Sequence, residues 1–147
     1  MSKNAKVAKK LLNADAIKIN TSYFAACDNI VNPVAICKHV PTWYDGYEFL
    51  PFAPDKNLLY SYKEGRTTTE EYCKEYNLML LEYDCCTIVE QMLKLFGNNI
   101  TLLCYEKPSK FCHRRLAAKW IESELGLVVP ELGYAEPRKL FLQSKLR

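Results

Sequence analysis

Short apolar or alternating segments, each bounded by turn residues, predict the strands of this chain. Residues 16–21 alternate apolar and polar side chains, whereas residues 34–37 form an apolar run after Asn32-Pro33. Alternation is typical of a half-buried strand, and a short apolar run is typical of a strand buried on both faces. The predicted strands are residues 16–21, 34–37, 100–105 and 127–129, of which 100–105 is the clearest.

Apolar residues at helical spacing predict three helices with recognisable ends. Two of them follow a side chain that can cap a helix N-terminus, and two stop at a glycine, which favours the backbone conformation that ends helices. The predicted starts are Thr68 or Thr69, Asp84 and Cys112, and the predicted stops are Gly97 and, after Leu125, Gly126.

Residues 38–54 form a long irregular segment with three prolines, one glycine and five aromatic residues. A loop of this length in a compact domain usually has a function or packs on itself. Two interpretations stay open for its aromatic side chains. They cover the core, or Trp43, Tyr44 and Tyr47 form a wall or lid for a planar ligand.

Strands that alternate with helices predict a single α/β domain, with a mainly parallel sheet flanked by helices and a long aromatic loop after the second strand. A chain of 147 residues has the usual length of one domain. We predict this domain over residues 15–135. A basic N-terminal tail, residues 1–14, and a basic C-terminal tail or short helix, residues 136–147, lie on either side of it.

The distribution of charge argues against a nucleic-acid-binding face on the domain itself. The net charge is +3, but residues 1–14 carry +4 and residues 136–147 carry +3, which leaves −4 for the residues between them. Nucleic-acid-binding domains usually carry their basic residues on the folded face. Weak nucleic-acid contact through the tails therefore remains the only form of such binding that we expect.

The sequence predicts a cytoplasmic protein without membrane association. No apolar run approaches the ~20 residues that span a bilayer, and the N-terminus lacks the apolar stretch of a secretory signal. In a reducing cytoplasm the seven cysteines are expected to be free thiols. No C-x-x-C pair or other recognised ligand spacing occurs among them, so we predict no metal and no cofactor.

The carboxyl ends of parallel strands are where α/β folds bind ligands. Three predicted strand ends carry side chains suited to binding or chemistry. They are Thr21, Ser22 and Tyr23 after the first strand, Lys38, His39, Trp43 and Tyr44 after the second, and Cys104, Glu106, Lys110, Cys112, His113, Arg114 and Arg115 after the third.

Basic side chains in the third set lie at the N-terminus of a helix, where the dipole already carries roughly half a positive charge. Arg114, helped by Arg115 or Lys110, therefore needs an anionic partner. That partner is either an external phosphate or carboxylate, or an internal ion pair with Glu106. Glu106 and His113 are also the candidate acid–base pair of the site.

Cys112 and His113 suggest a thiolate–imidazolium couple, with the helix N-terminus lowering the pKa of the thiol. Successive residues of a helix point about 100° apart, which strains a direct contact between them. We therefore expect Cys112 to face the core.

Two segments carry a family resemblance. Residues 100–108, Ile-Thr-Leu-Leu-Cys-Tyr-Glu-Lys-Pro, and the following Phe-Cys-His-Arg-Arg-Leu-Ala-Ala resemble the hallmark of the domain of unknown function 488 family, a strand like LLC-x-E and then CHR at the head of a helix. Residues 17–24 and 34–44 are similar to its first two strands, so the resemblance covers roughly residues 16–130. It implies an α/β fold and a pocket at Cys104, Glu106, Cys112, His113 and Arg114, and it implies no particular activity.

These observations lead to three functional hypotheses. The first is binding of a phosphate-bearing, nucleotide-like small molecule at the strand ends, where Tyr23, Trp43 and Tyr44 stack on its ring and the protein acts by sequestering it. The second is an enzyme of nucleotide or nucleic-acid metabolism that uses Glu106 and His113. The third is an interaction module that contacts nucleic acid through its basic tails. Oligomeric state is not indicated by the sequence.

Overall fold

The computed structural model describes residues 16–108 and 110–133. Within them a four-stranded sheet has the strand order β1-β4-β2-β3, and each of its three strand pairs is parallel. The strands are β1 Lys18–Tyr23, β2 Pro33–Ala35, β3 Tyr47–Glu48 and β4 Asn99–Cys104. The predicted α/β domain with a parallel sheet is confirmed, whereas the predicted tails lie outside the described residues.

Four α-helices accompany this sheet in the described part of the chain. They are α1 Lys56–Lys63, α2 Thr69–Leu80, α3 Cys85–Phe96 and α4 His113–Leu125. The predicted starts of α2 and α3 are confirmed, because Thr68 forms a capping box with Glu71 and the Asp84 side chain accepts from the backbone N–H of Thr87 at 3.0 Å. Gly126 ends α4 with a left-handed backbone at φ 70°. None of these helices is long and apolar enough to cross a membrane.

Two expectations about local structure are wrong. Residues 47–48 of the supposedly irregular loop pair with β2, and Leu50–Phe52 form a 3-10 helix. The predicted strand over residues 127–129 does not form, because the N–H of Val129 donates to the Glu122 side chain and Pro130 has no N–H to donate. Within the described residues, the segment after α4 pairs with the edge of β1 through an isolated bridge between Glu131 and Thr21.

The core lies mainly between the sheet and the α-helices. Leu102 and Cys104 of β4 belong to the large cluster that the helices build, whereas Leu103 packs on the opposite face with Phe24 and Ala35. Residues therefore pack on both faces of β4, which explains its continuous apolar sequence. The alternation brings Cys104, the last residue of β4, to the helix side of the carboxyl edge.

A buried ion pair fastens α4 to the segment that follows it. The fully buried Arg114 donates from Nε and Nη2 to the two carboxylate oxygens of Glu131 at 3.0 and 2.7 Å. The hydroxyl of Thr21 donates to the same carboxylate at 2.5 Å, which ties the pair to β1. Glu106 is exposed and does not contact Arg114. The interpretation of Glu106 as the internal partner of Arg114 is therefore wrong.

Replacing Glu131 by alanine is expected to lower the free energy of unfolding by ~3–5 kcal/mol, because it leaves the Arg114 guanidinium buried without a counter-charge. Urea denaturation of the two proteins measures this difference. Glu106→Ala serves as the control, with a change within ~0.5 kcal/mol for an exposed side chain. Equal losses in the two variants would contradict this assignment of the ion pair.

Candidate active site

A cavity of about 880 Å³ opens at the carboxyl edge of the sheet, next to the first turn of α4. Cys104, Cys112 and His113 are buried in its wall, and the loop after β2 and the connection from α1 to α2 form the remaining sides. The other polar and aromatic residues that line the cavity are Lys38, His39, Tyr62, Lys63, Thr67, Thr68, Thr69, Tyr72, Tyr105, Glu106 and Phe111.

The orientation of the His113 ring is set by the strand next to β4. Its Nε2 lies 2.6 Å from the carbonyl oxygen of Ile36. A carbonyl oxygen can only accept a hydrogen bond, so Nε2 carries the proton and donates. The Tyr76 ring packs edge-on against the imidazole, with 5.3 Å between the ring centroids. Nδ1 is consequently the nitrogen that can take up a proton.

Cys112 lies on the Nδ1 side of that ring, with 3.9 Å between its Sγ and Nδ1. Cys112 is the N-cap of α4 and has an extended backbone, φ −153° and ψ 143°. Neighbouring side chains diverge within a helix, but Cys112 precedes the helix, so its side chain can approach the His113 ring. Its side chain packs in the helix-side core, as expected, and also reaches the cavity.

The surroundings of Cys112 favour its ionised form. A hydrogen bond from Cys104 holds the pKa of the Cys112 thiol well below its usual range, against the effect of burial, and His113 and Arg114 lower it further. Burial raises the pKa of Cys104, so Cys104 remains the proton donor of the two. Burial also raises the pKa of Cys37, another cavity residue, to about 11. Among these three cysteines, Cys112 is the one whose surroundings lower the pKa of its thiol.

The same three residues are also a conceivable metal site, because their ligand atoms lie within 4.8 Å of one another. A histidine that binds a metal through Nδ1 needs the other ligands in front of that nitrogen. Cys104 Sγ instead lies closer to Nε2, at 3.3 Å, than to Nδ1, at 3.8 Å, which places the sulfur over the ring. The geometry favours a thiol–imidazole couple over metal coordination.

The structure brings together six of the residues that the sequence singled out. Cys104, Glu106, Cys112 and His113 from the third strand end meet Lys38 and His39 from the second at one cavity. The site therefore joins two neighbouring parallel strands, as the position of β2 next to β4 requires.

The remaining candidates lie elsewhere. Arg114 is buried against Glu131, and Arg115 donates to the Thr21 hydroxyl at 2.8 Å and to the Val129 carbonyl at 2.9 Å. Four further candidates do not line the cavity. Thr21 and Ser22 are buried in β1, Tyr23 lies at the end of that strand, and Lys110 is exposed.

The aromatic loop covers the sheet rather than the cavity. The rings of Trp43 and Tyr44 pack against Phe24, with centroid distances of 6.2 and 5.1 Å. The Tyr44 hydroxyl donates to the carbonyl of Pro33 at 2.9 Å. For Trp43 and Tyr44 the structure therefore supports the interpretation in which the aromatic side chains of this loop cover the core.

Several cavity residues were not predicted from the sequence, namely Cys37, Tyr62, Lys63, Thr67, Tyr72 and Phe111. Tyr62 and Lys63 lie in α1, Tyr72 lies near the start of α2, and Thr67 lies between these two helices. Asp55 caps α1 by accepting from the backbone N–H of Asn57. An aspartate that can cap a helix N-terminus was therefore the available sequence signal for α1. The sequence contained no signal that this helix pair lies beside the β4 edge.

Fold and site together define a parallel α/β domain with a buried cysteine–histidine couple beside a cavity at the carboxyl edge of its sheet. The chain belongs to the DUF488 family. A family model described as "Active DUF488-N3 subclade" (DUF488-N3a) matches residues 31–125, which span β2 to the end of α4 and include the whole couple. No curated protein and no solved structure matches the chain significantly.

Alkylation of Cys112 by iodoacetamide tests the ionisation of this thiol. Because the thiolate is the reacting form, a depressed pKa is expected to keep the rate high as the pH falls below the ordinary thiol pKa of ~8.5. His113→Ala removes a group that lowers the pKa, so the midpoint of the rate profile is expected to move to higher pH. Peptide mass spectrometry measures the rate at Cys112 alone, with Cys37 as the internal comparison.

A wild-type midpoint close to the ordinary thiol value would contradict this description of the site. A midpoint that His113→Ala leaves unchanged would contradict the role given to the imidazole.

Proposed function

We propose that this protein is an enzyme that binds a phosphate-bearing, nucleotide-like small molecule in the cavity and acts on it through the thiolate of Cys112, with His113 as the acid and base. The observation that carries the proposal is the hydrogen bond from His113 Nε2 to the Ile36 carbonyl. It leaves Nδ1 facing Cys112, so the nucleophile, its base and the group that orients the base form one chain.

The chemistry of such a couple is covalent group transfer. His113 Nδ1 takes the proton of the Cys112 thiol, and the resulting Cys112 thiolate attacks an electrophilic centre of the ligand and forms a bond to it. The bond to the leaving group breaks, and the leaving group departs with that proton from His113. Water or a second acceptor then attacks the same centre, returns its proton to His113 and frees the thiolate. Glu106 is at the exposed rim of the cavity, which is the position of a group that contacts the ligand rather than Cys112.

The charge of the cavity wall supports an anionic ligand. Its charged side chains are the ammonium groups of Lys38 and Lys63 against the single carboxylate of Glu106. Lysine is a common partner of phosphate oxygens, which it binds as a point charge. Arg114 is the anion-binding residue expected from the sequence. In this proposal its contribution is to lower the pKa of the Cys112 thiol.

Aromatic rings in the wall support a ligand with a planar group. Tyr62, Tyr72 and Phe111 pack against one another with centroid distances of 4.9, 5.3 and 5.8 Å and also line the cavity. Stacking of a base on such a ring is worth ~1–3 kcal/mol. These rings take the role that Tyr23, Trp43 and Tyr44 were expected to have.

Thermal unfolding with a panel of nucleotides, nucleotide sugars and dinucleotides tests the ligand class. A ligand at about 100 times its Kd adds ~2.7 kcal/mol to the stability of the protein, which is a rise of several degrees in Tm at this chain length. The double variant Lys38→Ala/Lys63→Ala is expected to lose most of this rise. Lys110→Ala, a basic residue outside the cavity, is the matched control and is expected to keep it.

Turnover is tested with the ligand found in this way, by measuring product formation and by intact-mass measurement of the protein for a covalent adduct. The wild type is expected to form product, Cys112→Ser to bind the ligand without forming product, and His113→Ala to fall by ~10²–10⁴-fold, the usual contribution of an acid–base group. If the wild type binds the ligand but forms neither product nor covalent adduct, the proposed enzyme is wrong and the protein sequesters its ligand. A nucleic-acid contact through residues 1–14 and 136–147 is a separate proposal, because these residues lie outside the described part of the chain.

A further inference from the structure

The cavity contains a second thiol next to the proposed nucleophile. Cys104 ends β4 and Cys112 precedes α4, and their sulfur atoms lie within 4.8 Å of each other and of the His113 ring. Both belong to the same helix-side cluster and both line the cavity. A disulfide requires the two sulfurs to approach to ~2.05 Å, so its formation would close the remaining gap between these neighbouring thiols.

We propose that Cys104 and Cys112 are an oxidation site, in which a small peroxide entering the cavity converts the two thiols into an intramolecular disulfide that a dithiol reverses. The inference shares the Cys112 thiolate with the proposed function, but it does not depend on the substrate or on turnover.

The chemistry takes two steps that balance. The Cys112 thiolate attacks one oxygen of hydrogen peroxide, the O–O bond breaks, and a sulfenic acid and hydroxide form, so that the peroxide is reduced by two electrons. Cys104 sulfur then attacks the sulfenic sulfur, the S–O bond breaks, and water leaves with the Cys104 proton. The added dithiol restores both thiols and becomes oxidised to its own disulfide.

Cys104 is a better resolving residue than Cys37, although both are buried and both line the cavity. The Cys37 thiol donates to the carbonyl of His39 at 3.2 Å, which holds it away from the couple. Cys37 also packs in the cluster on the opposite face of the sheet, with Phe24 and Leu103. The two cysteines thus form a matched pair for a test, because they share burial and cavity but differ in contact with Cys112.

The disulfide would block Cys112 and also protect it. A sulfenic acid without a neighbouring thiol is oxidised further to sulfinic acid, which a dithiol does not reduce. Cys104 is 2% exposed and Cys112 6% exposed, so the cavity admits a small peroxide more easily than the thiol of another protein. The intramolecular disulfide is therefore the expected product rather than a mixed one.

The experiment treats the full chain with a small excess of hydrogen peroxide and maps cysteine peptides by mass spectrometry without reduction. The expected result is a Cys104–Cys112 linkage in wild type and in Cys37→Ser, with complete loss of Cys112 alkylation by iodoacetamide and its recovery after dithiothreitol. In Cys104→Ser the expected product is sulfenic acid at Cys112, trapped with dimedone, followed by sulfinic acid that dithiothreitol does not reverse.

Because the wild-type peptide map identifies the linkage directly, the test does not depend on whether Cys104→Ser folds. A Cys37–Cys112 linkage, sulfinic acid at Cys112 in the wild type, or no oxidation of Cys112 would each overturn the inference. If Cys112 is still alkylated with a depressed, His113-dependent pKa in that case, the proposed function stands and only the oxidation site fails.

Discussion

The hydrogen bond from His113 to the Ile36 carbonyl is the interaction on which the site depends. It connects the first turn of α4 to the end of the strand next to β4, and it forms only because β2 and β4 are parallel neighbours whose carboxyl ends meet at one edge. It sets the tautomer of the imidazole and turns Nδ1 toward Cys112. Without this constraint, nothing would turn the unprotonated nitrogen of His113 toward Cys112, as the proposed nucleophile and base require.

A second buried contact holds the same helix from its other side. Arg114 follows His113 directly, and its ion pair with Glu131 fixes α4 against the edge of β1 while its positive charge lies near both thiols. Burial of a charge is costly unless a partner compensates it, so Glu131 makes this charge tolerable beneath the cavity. Successive residues of the Cys-His-Arg motif thus differ in their place in the site: Cys112 and His113 are the proposed nucleophile and base, and Arg114 is the buried charge beside them.

The sequence predicted the fold well where local chemistry decides it. Capping side chains, terminating glycines and the continuous apolar run of β4 are local features, and they gave α2, α3, α4 and the parallel sheet. The prediction failed where contacts beyond the local sequence decide the structure. β3 has only two residues and forms through its pairing with β2. Residues 127–129 do not form a strand, because the backbone N–H of Val129 donates to the Glu122 side chain and not to a neighbouring strand. In the site, the Cys104–His113 segment was found, but the partner of Arg114 was not, because Glu131 is as plausible in sequence as Glu106 and only the tertiary fold selects it.

The tautomer of the His113 ring is the property whose measurement tests the proposed thiol chemistry most directly. NMR of isotope-labelled ring nitrogens identifies the nitrogen that carries the proton in the neutral ring. Because the Ile36 carbonyl accepts a hydrogen bond from Nε2, the proton is expected on Nε2, with the unprotonated Nδ1 on the side of Cys112. A neutral ring protonated on Nδ1 would contradict the orientation of the base and with it the proposed thiol chemistry.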